Sequence, residues 1–331
     1  MTIRIAINGL GRIGRCVLRA IGELNRDEFE VVAVNGPADT KNHVHLLKYD
    51  SIHGVYPNAK QTGADEIDMG YGKIPVFHER DPLKLPWQDL DIDIVFECSG
   101  YFKKREDAEK FLKIGAKKVL ISAPAEGAES TIVFGVNNDA LKPEHKIISV
   151  GSCTTNCLAP VAKAINDIIG IERGIMTTVH AYTNDQNLAD GSHKDMRRAR
   201  AAALSMIPTS TGAAKAIGIV LPELDGKLDG VAIRVPTPNV SLVDLTFTSR
   251  TPTSVEEINK AIIDAVNGPM KNVLDASDEP TVSIDYCHNP HSSIFDLTGT
   301  KVIDGSMCRV ASWYDNEWGF SVRMLDVAGL L

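Results

Sequence analysis

One short string constrains this chain more than any other. Gly9-Leu10-Gly11-Arg12-Ile13-Gly14 stands directly after the apolar run at residues 4–8. Apolar residues then recur at Val17, Leu18, Ile21 and Leu24, which is helical spacing, and residues 30–34 read Glu-Val-Val-Ala-Val. Strand, G-x-G-x-x-G, helix, strand is the context in which such glycines hold a dinucleotide. One glycine permits the tight turn, another lets backbone approach a pyrophosphate, and the third lets helix pack on strand. The helix start offers unpaired N–H groups to the phosphates. Glycines that merely mark a turn would lack this order of elements.

The chain has 331 residues, enough for two domains. Its 44% hydrophobic and 24% charged residues exclude a disordered or collagen-like chain. A formal charge of −8 argues against a nucleic-acid partner, because phosphate neutralisation needs a basic face. No run approaches about 18 uncharged apolar residues, and the start lacks a signal-peptide pattern, so the expectation is a cytoplasmic protein without a membrane partner. The six cysteines, Cys16, Cys98, Cys153, Cys157, Cys287 and Cys308, form no C-x-x-C pair and read as reduced thiols. His43-x-His45 and His288-x-x-His291 lack a completing ligand set; they read as loop histidines, with no metal site.

Further buried strands read at residues 92–98, 118–122 and 147–150, with a helix at 105–112. This alternation predicts a Rossmann-type doubly wound parallel sheet over 1–152, followed by an α+β catalytic domain over 153–314. Residues 275–280 read as a charged surface loop. Loops after the strands, including Ser122, should face the ligand. An NAD-binding fold expects an acid about 20 residues past the glycines to hold the ribose hydroxyls. That position is Gly36, and Asp39 comes three residues later. Without a carboxylate at 36, a 2′-phosphate meets no repulsion there.

The second half carries the reactive groups. Ser149-Val150-Gly151-Ser152-Cys153-Thr154-Thr155-Asn156-Cys157 links a strand to a helix in which Pro160 is expected in the first turn. Cys153 at a helix start is favoured as thiolate by the macrodipole and free N–H groups, and the same groups would meet an oxyanion. Cys157, about one turn on, reads as a core residue. His180, after a strand at 175–179, is the best candidate base for Cys153. Arg197, Arg198 and Arg200 close a long polar loop, Thr209-Ser-Thr-Gly-Ala-Ala-Lys215 opens a helix with hydroxyls, and Arg234 adds a planar cation. The bland alternatives are a solvated face and an ordinary helix cap.

The strings from Ala6 to Arg15, Ser152 to Cys157, His180 to Asn184, Pro208 to Lys215, Arg234 to Val240 and Trp313 to Gly319 resemble the glyceraldehyde-3-phosphate dehydrogenase family from end to end. The resemblance implies that Cys153 is the nucleophile and His180 the proton shuttle, with inorganic phosphate attacking a Cys153 thioester. It implies a first phosphate seat at Thr183, Asp185 and Arg234, and a second at Ser152, Thr211, Gly212 and Arg198, with Thr154 beside the nucleophile. For the cofactor, NAD or NADP, it implies Gly9, Gly11, Arg12, Ile13 and Gly14, then Arg80, Ser122 and Asn316. With Asn316 there, it also implies that the last helix, about 315–331, returns to the nucleotide domain.

The chain departs from the family where Gly36 replaces an aspartate and Gly191-Ser192 replaces a Leu-Pro pair. Both departures imply NADP use alongside NAD, with Ser192 a donor to the 2′-phosphate. Val150-Gly151 and Phe320 are further departures. A homotetramer acting on a small phosphorylated aldehyde is implied. Erythrose-4-phosphate dehydrogenase is the nearest alternative activity. A non-catalytic nucleotide sensor and a Cys–His hydrolase are the alternatives of other kinds.

Overall fold

The computed structural model describes residues 2–331, and they divide into two compact units. The first comprises the chain through Ile132, Asn138–Ser152 and Ser321–Leu331; the second comprises Val133–Asn137 and Cys153–Phe320. Sequence reading puts the last helix within the nucleotide domain from about residue 315. The helix itself is Trp318–Ala328, and the division falls inside its first turn.

In the first unit, strand Ile3–Asn8 is nearly continuous Ile and Ala because both its faces are covered. It pairs in parallel with Phe29–Asn35 on one side and Ile94–Glu97 on the other. Beyond these lie Lys118–Ile121, Ile147–Ser149 and Ser130–Thr131 on one flank, and Lys73–Phe77 on the other, all parallel. Glu66–Asp68 and Lys60–Gly63 add an antiparallel edge that the sequence reading did not contain. Helices Arg12–Glu23 and Arg105–Lys113 supply crossovers, and Trp87 and Phe111 pack in a core with Val95 and Val119. The strand order reverses beside Ile3–Asn8, which makes its carboxyl end the crevice where such sheets take ligands.

The second unit is a mixed sheet ordered Ile207–Ser210, Leu228–Val235, Ile171–Ala181, Ser241–Ser249, Met307–Tyr314, Ser293–Asp296 and Leu274–Ser277. Strict in–out alternation along Ser241–Ser249 presses Val243, Leu245 and Phe247 inward. Helices Cys153–Ile168, Ala213–Val220 and Val255–Val266 cover that face. The last opens with a capping box between Ser254 and Glu257.

Two expectations are corrected here. Residues 275–280 begin as strand rather than surface loop, since Leu274–Ser277 pairs with Ser293–Asp296; polar side chains masked the edge-strand pattern. Pro160 lies well inside the helix opened by Cys153, not in its first turn, and its ring is buried in the core. Among the described residues, no helix is long and apolar enough to cross a membrane.

Candidate active site

The three fingerprint glycines have three distinct surroundings. Gly9 adopts φ +100°, and a Cβ there would stand 2.4 Å from the Ser99 backbone nitrogen. A Cβ on Gly14 would stand 2.0 Å from the Gly9 carbonyl oxygen, so helix and turn touch only because it is absent. Around Gly11 a Cβ would meet nothing within 4 Å. That open side, at the start of helix Arg12–Glu23, has the room a pyrophosphate needs. Arg12 and Ile13 open the helix, but the Arg12 guanidinium is engaged by both carboxylate oxygens of Asp50, at 3.1 Å for Nη2 to Oδ1. Burial opposes ionisation of Asp50, but Arg12 and the amides of His53 and Ile52 hold its carboxyl well below the usual range.

Beside the turn lies a cavity of about 320 Å³ lined by Asn8, Gly9, Asn35, Gly36, Arg80 and Ser99, among others. Its floor is a polar lattice absent from the sequence reading. Asn35 Nδ2 donates to Asn8 Oδ1 at 2.8 Å, and Asn8 Nδ2 donates to Glu97 Oε2 at 2.6 Å. Burial pushes the Glu97 carboxyl up to about 7, against hydrogen bonds from Ser99 and Asn8. The available signal was a polar residue ending each of three apolar strands at the same level. Ser122 sits at the end of a neighbouring strand, its amide on the Glu97 carbonyl at 3.0 Å. Asp39 caps helix Thr40–Lys48 by accepting from the Asn42 amide at 2.7 Å. His43 and His45 lie on that helix, so they are not loop histidines.

In the second unit Cys153 opens helix Cys153–Ile168, and its Sγ is 3.5 Å from His180 Nε2. His180 lies on strand Ile171–Ala181, directly opposite Arg234 on the parallel strand Leu228–Val235. Arg234 Nη1 is 2.7 Å from His180 Nδ1 and 3.0 Å from the Ala181 carbonyl, which itself lies 2.7 Å from Nδ1. Two arrangements follow. If Arg234 donates to Nδ1, the ring hydrogen sits on Nε2 facing the sulfur. If Nδ1–H donates to Ala181, Nε2 is the acceptor.

Burial and the Arg234 charge lower the His180 imidazole to about 3. Burial pushes the Cys153 thiol up, although Arg234 and the Thr154 hydroxyl and amide pull it down. Burial thus opposes the thiolate that the helix start and Arg234 favour. Cys157 is fully buried, 3.3 Å from Ser293 Oγ, with its thiol raised by burial to about 12.

Thr154 turns its hydroxyl inward to Tyr314 OH at 2.8 Å, and Tyr314 also meets Thr178 Oγ1 at 3.0 Å. Tyr314, edge-on to the His180 ring with 5.9 Å between centroids, was not singled out from the sequence, though it lies within a string quoted for the resemblance. Asp185 pairs with Arg198 rather than with Arg234, and Arg198 Nε also donates to Thr209 Oγ1 at 3.0 Å. The two expected phosphate seats thus share an ion pair. Thr183 closes a turn with Gln186, and Thr211 accepts from the Ala213 amide at 3.2 Å beside Gly212, at the start of helix Ala213–Val220. Ser152 immediately precedes Cys153. Asn316 is buried, its carbonyl oxygen accepting from Ser241 Oγ at 2.8 Å, and Ser192 is exposed in the long polar loop. Phe320 is buried. His288 stacks on Trp318 at 3.6 Å, and His291 lies 3.9 Å from Asp275.

A doubly wound dinucleotide-binding sheet joined to a mixed-sheet unit is the architecture of a nicotinamide-dependent dehydrogenase. Residues 3–105 match the NAD-binding domain of glyceraldehyde 3-phosphate dehydrogenase, and residues 152–316 match its C-terminal domain. A glyceraldehyde-3-phosphate dehydrogenase of Xanthobacter flavus is 57% identical over 99% of this chain and 98% of its own length. One from Cereibacter sphaeroides is also 57% identical over the same shares, and one from Geobacillus stearothermophilus is 53% identical over all of this chain and 98% of its own. The chain belongs to the glyceraldehyde-3-phosphate dehydrogenase family.

Proposed function

We propose that the protein oxidises D-glyceraldehyde 3-phosphate with inorganic phosphate to 1,3-bisphosphoglycerate, using NAD and also NADP. The observation that carries this reading is the Cys153 Sγ to His180 Nε2 distance of 3.5 Å, with Arg234 on the far side of the ring. As the sulfur attacks the aldehyde carbon, its proton passes to Nε2. The carbonyl oxygen becomes an oxyanion beside the N–H groups at the helix start. The imidazolium returns its proton to that oxygen, giving a hemithioacetal. A bound nicotinamide supplies the hydride acceptor. His180 takes the hydroxyl proton back as the thioester forms, and phosphate attack on the carbonyl carbon then breaks the C–S bond and frees the sulfur.

Arg234 serves twice in this reading. A substrate phosphate that engages its guanidinium draws it from His180, leaving Nδ1–H to Ala181 and Nε2 as the base. Arg198, Thr211 and Gly212 would hold the attacking phosphate, and Asn316 the nicotinamide amide. Large exposed side chains at Leu188, Met196, Leu204 and Met206 support a homotetramer that covers this loop. Gly36 and Ser192 support acceptance of a 2′-phosphate. Initial rates with glyceraldehyde 3-phosphate, NAD or NADP, and varied inorganic phosphate test the reading. A rate that rises with phosphate supports it. A phosphate-independent rate would favour release of a free acid and the erythrose-4-phosphate activity.

A further inference from the structure

The absence of a side chain at Gly36 is matched by the presence of one elsewhere. A Cβ at 36 would stand 2.8 Å from both Cε1 and Nε2 of His43, so the imidazole edge occupies the space of the missing side chain. His43 comes from the inner face of helix Thr40–Lys48 and is 4% exposed. Its Nε2 is buried with no hydrogen-bond partner. A buried polar nitrogen left unpaired is costly and calls for an explanation, and this one lies against Gly36, a residue of the cavity wall. Gly36 itself lines the 320 Å³ cavity together with Arg80.

The surroundings favour an anion. His78 lies parallel to His43, 6.3 Å between ring centroids, with its own Nδ1 3.1 Å from the Gly36 carbonyl and its Nε2 3.1 Å from Asp65. Arg15 faces His43 from helix Arg12–Glu23, and Asp39 from the start of its own helix. Burial, with the His78 and Arg15 charges, holds the His43 imidazole below its ordinary value, while the Gly36 carbonyl and Asp39 act against this. These influences together favour the neutral ring in the free protein. A phosphate dianion against Nε2 would bring a proton onto the ring and turn the contact into a charge-assisted hydrogen bond. A ribose hydroxyl could not.

We propose that His43, reaching the cavity through the gap at Gly36, recognises the 2′-phosphate of an adenine dinucleotide. This rests on the reading that the protein accepts NADP, and it names the residue that makes the discrimination. The two positions fit each other: a carboxylate side chain at 36 would collide with His43, and glycine beside a smaller residue at 43 would leave a hole.

The test is calorimetric binding of adenosine 2′,5′-bisphosphate and adenosine 5′-monophosphate, at pH 6.5 and 8.5, to the intact protein and to His43→Leu and His43→Gln. The intact protein should prefer the bisphosphate, more so at pH 6.5. Each variant should weaken the bisphosphate about tenfold, leave the monophosphate within about twofold, and abolish the pH dependence of the preference. Gly36→Ala, which pushes the ring aside, should reproduce the selective loss. If the intact protein shows no preference, the NADP reading falls and this inference with it. If it prefers the bisphosphate and the His43 variants keep that preference, this inference alone falls. Equal weakening of both ligands would assign His43 a packing role and overturn it as well.

Discussion

The nucleotide end and the reacting end of this protein are built by opposite means. The first is made of omissions: Gly9 and Gly14 let backbone touch backbone, Gly11 leaves an open side, and Gly36 yields its side-chain space to the His43 ring. The second is made of crowded groups: a thiol, an imidazole, a guanidinium and a phenol within one shell, each shifting its neighbours' ionisation. The difference teaches where tolerance lies. In a region of omissions, harm scales with what an added atom would strike. In a region of crowding, harm scales with the charge or proton lost.

The largest effect expected is at Cys153. Cys153→Ser should cut turnover by at least about 10³-fold while cofactor affinity, measured by fluorescence titration, stays unchanged. Retained turnover would mean that the two ends are not built as described. His180→Asn should cost about 10²–10⁴-fold in kcat, the range for loss of general acid–base help, in steady-state rates.

Next comes a pair of glycine substitutions that sharpen the contrast inside one motif. Gly14→Ala must displace the Gly9 carbonyl and should cost about 1–3 kcal/mol in denaturant unfolding. Gly11→Ala strikes nothing, so it should leave stability within about 0.5 kcal/mol and weaken only dinucleotide binding. Equal losses of stability would break the steric account.

The smallest effect separates the two ends by pH. The unfolded chain protonates His180 near its ordinary 6.5, whereas the folded chain waits until about 3, so this group's contribution to stability is lost on acidification between those values. Glu97 has the opposite sign. Its folded value of about 7 lies above its ordinary 4.5, so its contribution is present below 4.5 and lost as pH rises through 7. Glu97→Gln should therefore remove a fall in stability as pH rises from about 4.5 to about 7, and His180→Asn a loss as pH falls from 6.5 to about 3, in thermal melts across pH.

The first sheet was legible because both its faces are buried, and buried parallel strands read as unbroken apolar runs. The outer hairpin at Lys60–Asp68 was not, because an edge strand carries Lys, Gln, Glu and Asp. Leu274–Ser277 was hidden in the same way. Cys153, His180 and Arg234 stood out in the sequence by type, and the structure brings the three together. Their ionisation was not legible, because helix-start and desolvation effects oppose each other and only packing decides between them. Tyr314 and Glu97 were missed because a single polar residue ending an apolar strand looks the same whether it faces water or a buried network. His43 was missed because its partner is an absent side chain.

The unbroken register between Ile171–Ala181 and Leu228–Val235 has a consequence for how this sequence can change. Neighbouring residues of a strand point to opposite faces, so one inserted or deleted residue in either strand would carry His180 or Arg234 through the sheet, away from the other. Substitution elsewhere along these strands can proceed position by position, but length cannot vary at all. Changes in size are thus confined to the connecting loops, and the two strands form a stretch whose residue count is as fixed as its chemistry.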